Sequence, residues 1–148
     1  MKTKATVLLI MVIGFTFLLA ACLKDKGYYE MGKDRITSIV AVVGERKMTG
    51  TSTSTSNGVQ TKTWSYTTDP DDPGQASNDL ATYITHLMRD EGFFVTISID
   101  GLPADGGVPI QLAKESVDEG KVIIINIVYN SKGYTIELNK LTDTITYY

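Results

Sequence analysis

The residues best suited to chemistry in this chain are its single cysteine, Cys22, and its single histidine, His86. A hydrolytic triad needs a base that can reach a nucleophile, so any such site would have to use His86. No G-x-S-x-G nucleophile elbow accompanies it, and helical spacing places His86 beside Thr82 and Arg89 on a polar helix face. The sequence therefore predicts a solvated surface histidine and gives no assignable catalytic set.

Acidic residues offer a second kind of chemistry, because aspartates gathered among glycines can bind calcium. Two stretches qualify, "DPDDPG" at 69–74 and "DGLPADGG" at 100–107. Neither follows the twelve-residue calcium loop, which also requires a distant glutamate, and aspartate before proline or glycine is ordinary turn chemistry. We predict turns and no metal site there. The paired carboxylates of a glycoside hydrolase cannot be assigned from sequence, so a small cell-envelope enzyme stays an alternative.

Two aromatic residues, Trp64 and Tyr66, lie on one face of a strand predicted at 59–68. Exposed aromatic rings on a sheet can stack against sugars or peptide side chains. The same rings can instead face a helix and fill the core. Trp64 and Tyr66 are therefore candidate residues of a ligand platform, with core filling as the simpler alternative.

The N-terminus has the three parts of an export signal. Lys2 and Lys4 make its start basic, residues 5–21 are apolar apart from two threonines and a glycine, and the run ends in small residues. A membrane-spanning helix needs about 20 apolar residues, so this run is slightly short for that role. An uncleaved anchor stays an alternative.

The last four residues of this segment, Leu19, Ala20, Ala21 and Cys22, resemble the lipobox of bacterial lipoproteins. The resemblance implies cleavage between Ala21 and Cys22 and a diacylglyceryl thioether on the Cys22 sulfur. Two acyl chains hold a protein on a membrane durably, whereas one does not. The alternatives are an ordinary secretory signal and a reactive thiol, which the lack of a second cysteine disfavours.

The resemblance implies a location on the extracytoplasmic face of a bacterial membrane. Leu23, the residue after the cysteine, is not aspartate, which leaves outer-membrane sorting open in bacteria that have two membranes. Removing residues 1–21 takes Lys2 and Lys4 away, so the formal charge falls from −3 to −5. Such an acidic domain is a poor partner for nucleic acid. The sequence contains no glycine-rich phosphate-binding loop, and we predict no cofactor.

We predict three parts: a signal peptide at 1–21, a lipidated tether at 22–34 and one domain at 35–148. The domain begins with a strand at 35–44 and a long mobile loop through the Thr/Ser run to residue 58. A helix at 77–91 follows the strand at 59–68, because five apolar residues there form one stripe. Further strands are predicted at 93–100, 110–116, 122–130, 134–141 and 142–148, with a turn of helix as the alternative at 110–116.

This order of elements predicts an α+β fold in two layers. A mainly antiparallel sheet of five to six strands would pack on the one amphipathic helix. The strand at 122–130 is apolar on both faces, which is typical of a central strand covered on both sides. We expect the 101–117 segment or the tether to cover its second face; otherwise that face is a predicted partner surface.

Taken together, these patterns predict a lipid-anchored lipoprotein with a non-catalytic binding or interaction module. Its expected contacts are the membrane, through Cys22, and an envelope protein or glycan. Two alternatives remain: the small enzyme with paired carboxylates, and a structural or assembly lipoprotein that pairs through an apolar sheet face.

Overall fold

The structure of this chain, a computed structural model, describes residues 24–97 and 100–145. In that part the chain forms eight strands and two helices. The strands are β1 (Tyr28–Met31), β2 (Asp34–Thr37), β3 (Lys47–Ser56), β4 (Val59–Thr67), β5 (Phe94–Val95), β6 (Ile110–Glu115), β7 (Lys121–Asn130) and β8 (Gly133–Thr142). The helices are α1 (Ile39–Val43) and α2 (Gln75–Asp90).

Six strands form one antiparallel sheet in the order β3-β4-β8-β7-β6-β5, and β1 and β2 form a separate hairpin. The predicted α+β class with a mainly antiparallel sheet is therefore confirmed. The strand predicted at 93–100 is much shorter than expected, since β5 holds only Phe94 and Val95. The last predicted strand is wrong for 143–145, which form no strand, and 146–148 lie outside the described residues.

The Thr/Ser run is a strand, which corrects the prediction of a mobile loop. Asn57 and Gly58 both have positive φ angles, 50° and 78°, as a type I′ hairpin turn requires. This turn folds β3 back onto β4 from Ser56 opposite Val59 to Lys47 opposite Thr67. Threonine is β-branched and favours extended backbone, so pairing with β4 is enough to order a segment without apolar residues.

Helix α2 matches the helix predicted at 77–91, although it begins two residues earlier. Its side chains Leu80, Tyr83 and Leu87 are fully buried and belong to the same hydrophobic cluster as Ile123 and Ile125 of β7. The expected stripe ends before Met88, whose exposed fraction is 46%.

The chain before β3 differs most from the prediction. Residues predicted as tether form β1 and the start of β2, and Tyr29 and Met31 are buried in the hydrophobic cluster. The strand predicted at 35–44 divides at Ser38, after which Ile39 begins α1. β-branched residues favour strands, but α1 packs against α2 and buries Ile39 completely, so tertiary contact overrides local preference.

A buried ammonium group joins the β1–β2 hairpin to the sheet. Lys140 of β8 is 5% exposed, and its Nζ donates to Asp34 Oδ2 at 2.8 Å, to the Met31 carbonyl at 3.2 Å and to Asp118. Burial alone would raise the pKa of Asp34, but hydrogen bonds from Lys140, Ser116 and the backbone lower it. The carboxylate is thus held ionised inside the fold.

The turn of this hairpin needs a glycine for two reasons. Gly32 has a φ of 64°, which other residues adopt at a cost. A β-carbon at Gly32 would also lie 3.0 Å from Lys140 Nζ. The turn therefore leaves room for the ammonium group that holds the hairpin in place.

A second buried ion pair ties the start of β3 to α2. Arg46 donates from Nε and Nη2 to the two oxygens of Asp79, each at 2.7 Å, and Tyr134 also donates to Asp79 at 3.1 Å. Planar two-point pairing of this kind is strong and directional. It fixes the Asp79 carboxylate between the start of α2, Arg46 and β8.

Candidate binding surface

The two faces of β7 have different environments. Alternate residues Ile123, Ile125 and Ile127 are at most 1% exposed and belong to the core cluster, with which both described helices and the β1–β2 hairpin also pack. On the other face, burial decreases along the strand: Val122 is 3% exposed, Ile124 and Asn126 are half-buried and Val128 is 71% exposed. In the part of the chain that the structure describes, neither segment 101–117 nor the tether forms a continuous layer over this second face, contrary to expectation, and we call it the open face.

A continuous row of side-chain hydrogen bonds crosses the open face. We call it the amide ladder, and its members come from β4, β8, β7, β6 and the residue after β5: Thr61, Asn139, Glu137, Asn126, Gln111 and Thr96. The donor-to-acceptor distances along it lie between 2.7 and 3.0 Å. Each link is thus an ordinary, well-formed hydrogen bond.

Strand register builds this row directly. Gln111 lies opposite Asn126, and Asn126 lies opposite Glu137. On the far side Thr61 lies opposite Asn139. Directly opposed residues project to the same face of an antiparallel sheet, so the register makes three of the links. A fourth link joins Asn139 to Glu137 within β8 itself.

Glu137 is the acceptor at the centre of the ladder. Its Oε1 accepts from Asn126 Nδ2 at 3.0 Å and from Asn139 Nδ2 at 2.8 Å. Within the described part of the chain, the Glu137 Oε2 atom accepts no such bond. The open face thus presents a fixed carboxylate oxygen flanked by amides and hydroxyls, which can accept a donor from a bound molecule.

Sequence reasoning missed this surface because it treated the second face of strand 122–130 as apolar. The signal was Asn126, the one amide inside the run "VIIINIVY". An amide in the middle of an apolar strand needs hydrogen-bond partners. Here Gln111 and Glu137 supply them.

The predicted aromatic platform lies on the opposite face of the sheet from the ladder. Tyr66 is 2% exposed, so the prediction that it forms a ligand platform is wrong. Trp64 is half-buried and stacks on Tyr29 with ring centroids 4.3 Å apart. Both rings therefore contact the β1–β2 hairpin, whereas the core-filling alternative expected a helix there. Trp64 also lines a groove of about 220 Å³.

A chain of hydroxyl groups fastens the segment before β1 to the sheet. Asp25 accepts hydrogen bonds from the Gly27 amide at 2.6 Å, from Ser38 Oγ at 2.7 Å and from the Tyr66 hydroxyl. The hydroxyl oxygen of Tyr66 also lies 3.0 Å from the hydroxyl oxygen of Tyr29. Burial, and then the proximity of Tyr29 and Asp25, raise the pKa of Tyr66 above its ordinary 10.0. Asp25, predicted as part of the tether, is therefore tied into the folded domain.

His86 is not the solvated surface histidine that the sequence predicted. Its side chain is 25% exposed, and Nδ1 lies 2.9 Å from Asp90 Oδ2. The two neighbouring hydroxyls, on Thr82 and Thr85, donate to helix carbonyls one turn back. They are therefore not positioned as nucleophiles for His86.

The aspartate-rich stretches form turns, as predicted. Asp69 Oδ1 accepts from the Asp71 amide at 2.9 Å, and Asp72 Oδ1 accepts from the Gly74 amide at 3.1 Å. Asp100 and Asp105 are exposed in the loop before β6. The structure, where it describes the chain, brings no group of three metal-ligating side chains together.

The lipobox, Leu19, Ala20, Ala21 and Cys22, lies outside the described residues, so its role stays a prediction. Among residues 24–97 and 100–145, no helix is long and apolar enough to cross a bilayer.

Comparisons of the chain with protein-family models, with curated proteins and with solved structures find no match.

Proposed function

We propose that this protein is a bacterial lipoprotein, anchored through Cys22 on the extracytoplasmic face of a membrane, whose domain is a non-catalytic binding module. The bound partner is an envelope glycan, and it lies on the open face of the sheet. In this proposal the domain has two layers, the sheet and the amphipathic helix α2 that covers one face of it. The ligand binds the other face of the sheet.

The observation that carries this proposal is the amide ladder. Side-chain amides both donate and accept hydrogen bonds, and so do the hydroxyl and N-acetyl groups of cell-wall sugars. Glu137 adds a charged acceptor, and charge-assisted hydrogen bonds are the stronger ones. Exposed Val128 beside the ladder adds an apolar contact. A sugar polymer running across the strands would meet at least one ladder residue on each of β4, β8, β7 and β6.

The proposed anchor places this surface close to the lipid. Asp25 is held by three hydrogen bonds, so only Leu23 and Lys24 separate it from Cys22. Three residues of extended chain span roughly 10 Å. The tether is therefore shorter than the predicted 22–34, and the module would act beside the membrane from which it is anchored.

The alternative of an enzyme with paired carboxylates receives no support from the acids that meet in the fold. Asp34 and Asp118 are bridged by Lys140, and the hydrogen bonds from this residue lower the pKa of both. A general acid needs the opposite, a raised pKa that keeps its proton. The assembly alternative through an apolar sheet face fits less well than a polar ligand, since the ladder occupies the middle of that face.

Binding is tested with the full chain purified in detergent and sedimented with insoluble cell-wall glycan. The double variant Gln111→Ala/Asn126→Ala removes two ladder amides and should bind roughly tenfold more weakly, since each hydrogen bond contributes about 0.5–1.5 kcal/mol. The matched control is Thr82→Ala/Thr85→Ala on exposed positions of α2. Failure of the parent chain to sediment, or equal binding by the ladder variant, would refute the proposed ligand.

The anchor is tested separately by Cys22→Ala in the producing bacterium. Supplied with a labelled fatty acid, the cells should incorporate label into the parent protein and none into Cys22→Ala. A parent protein without label, or equal label in both, would refute lipidation at Cys22 without bearing on the open face.

A further inference from the structure

The β3 strand ends the six-stranded sheet with one side unpaired. Its ten residues pair with β4 along one side, and no strand in the described part of the chain pairs with its other side. From Thr51 to Ser56 every residue is exposed. The free side therefore presents a row of backbone N–H and C=O groups to a partner.

The two edges of this sheet differ in how well they are protected against pairing with a strand of another molecule. At one edge β5 is only two residues long, and a short edge strand offers little to pair with. At the other edge β3 carries a charge only at Lys47 and an irregularity between Met48 and Gly50. Residues 50–56 contain no charged residue and no proline. Seven residues of the long edge thus lack the usual devices against pairing.

We propose that β3 pairs with β3 of a second copy of this chain in antiparallel orientation. The free side of β3 is complementary to itself, which favours a second copy of this chain as the partner. Centring the pair on Thr53 opposes residues 50–56 with themselves, so that Thr53 meets Thr53 and Thr51 meets Thr55 of the second copy. Paired threonines stabilise neighbouring strands, whereas like charges placed opposite each other destabilise them, and this run contains none.

The pairing has a consequence for the open face. A twofold axis through the Thr53 pair runs perpendicular to the sheet, because opposed residues must project to the same side. The two open faces, with their amide ladders, then form one continuous surface across the joined sheets. A polymer that contacts both ladders gains from the raised effective concentration at the second one.

Disulfide cross-linking of the full chain in detergent tests the register. In Thr53→Cys, oxidation should convert most of the chain to a dimer, because directly opposed residues have Cα atoms about 4.5–5.5 Å apart, within disulfide range. In the matched variant Thr55→Cys, each cysteine lies four residues from its symmetry mate, roughly 13 Å along the strand, and no dimer should form. The parent chain controls for Cys22. Absence of a Thr53→Cys dimer, or equal dimer in both variants, overturns the proposal.

Sedimentation of the parent chain and of Thr53→Glu supplies a second measurement that needs no cross-link. The parent should dimerise, and glutamate at the centre of the pair should raise the dimer dissociation constant about fivefold or more. Thr82→Glu, an exposed site on α2, should leave it unchanged. A parent chain that stays monomeric overturns self-pairing, and a Thr53→Glu dimer of unchanged strength places any dimer contact away from β3.

Discussion

The two faces of the central strand β7 differ in what holds their residues in place. On the core face, isoleucines pack against α2 and the β1–β2 hairpin and are almost completely buried. On the open face, Asn126 is held by side-chain hydrogen bonds to neighbouring strands, with Val128 in solvent. Burial dominates the stability of the first face, so the second is free to serve recognition at little energetic cost to the fold.

The largest loss in the free energy of unfolding should follow from Lys140→Ala, at the rim of the core face. This change leaves Asp34 buried without its cation, and breaking a buried ion pair costs about 3–5 kcal/mol. Lys33→Ala is the control, since its side chain is 82% exposed beside Asp118 and such pairs contribute about 0–1 kcal/mol. Urea unfolding of both variants measures the difference, and equal losses would contradict a structural role for the buried cluster.

Next in size is Ile125→Ala, which creates a cavity in the core. A completely buried isoleucine replaced by alanine should lower the free energy of unfolding by about 2–5 kcal/mol. Val128→Ala three residues along the same strand should change it by less than about 0.5 kcal/mol, because this side chain is exposed. Chemical denaturation tests the pair, and a Val128→Ala loss as large as that of Ile125→Ala would remove the distinction between the faces.

The ion cluster also predicts a pH dependence. The folded-state pKa of Asp34 lies below its ordinary 3.8, so its contribution to stability is complete above that value and is lost as pH falls through the folded-state pKa. Asp34→Asn does not titrate. The stability difference between parent and Asp34→Asn should therefore be constant from pH 5 to 7 and shrink below about pH 4. A stability difference that widens on acidification would mean that the folded-state pKa of Asp34 is raised and not lowered.

The smallest effect on stability is expected for Asn126→Ala on the open face. Its amide is half-buried, and water can replace the partners that it leaves, so the loss should stay near the 0.5–1.5 kcal/mol of one hydrogen bond. Its effect on glycan sedimentation should be larger than that of Val128→Ala. A stability loss as large as that of Ile125→Ala would make the ladder a structural device.

The parts of the fold that followed from sequence are those with a strong periodic pattern. The apolar stripe of Leu80, Tyr83 and Leu87 placed α2 within two residues. The run "VIIINIVYN" predicted that β7 lies inside the sheet, because apolar residues on both faces of a strand are typical of a central strand.

The parts that did not follow depend on contacts between distant segments. Local preference predicts Ile39–Val43 as strand, and packing on α2 makes it a helix. The Thr/Ser run of β3 contains no apolar residue to show that β4 would pair with it. The β1–β2 hairpin depends on Lys140, more than a hundred residues away along the chain, and no local pattern indicates such an anchor.

The candidate site was the least accessible to sequence reasoning. Each ladder residue is an ordinary polar side chain, and only the register brings Gln111, Asn126 and Glu137 into one row. The predicted lipobox is the reverse case, since its four residues are contiguous and the resemblance is visible in the sequence alone. A site assembled across four strands and the residue after β5 can be seen only when the order of the strands in the sheet is known.

The central claim, that the open face is the binding surface, is tested most directly by site-specific photo-cross-linking in living cells. A photoreactive residue is placed at Val128 on the open face, or at Val117 in the turn between β6 and β7; their exposed fractions, 71% and 69%, are matched. We predict covalent adducts to envelope glycan from position 128, lost with Gln111→Ala/Asn126→Ala, and none from position 117. Equal labelling at the two positions, or labelling at 128 that the ladder changes do not reduce, would contradict the claim.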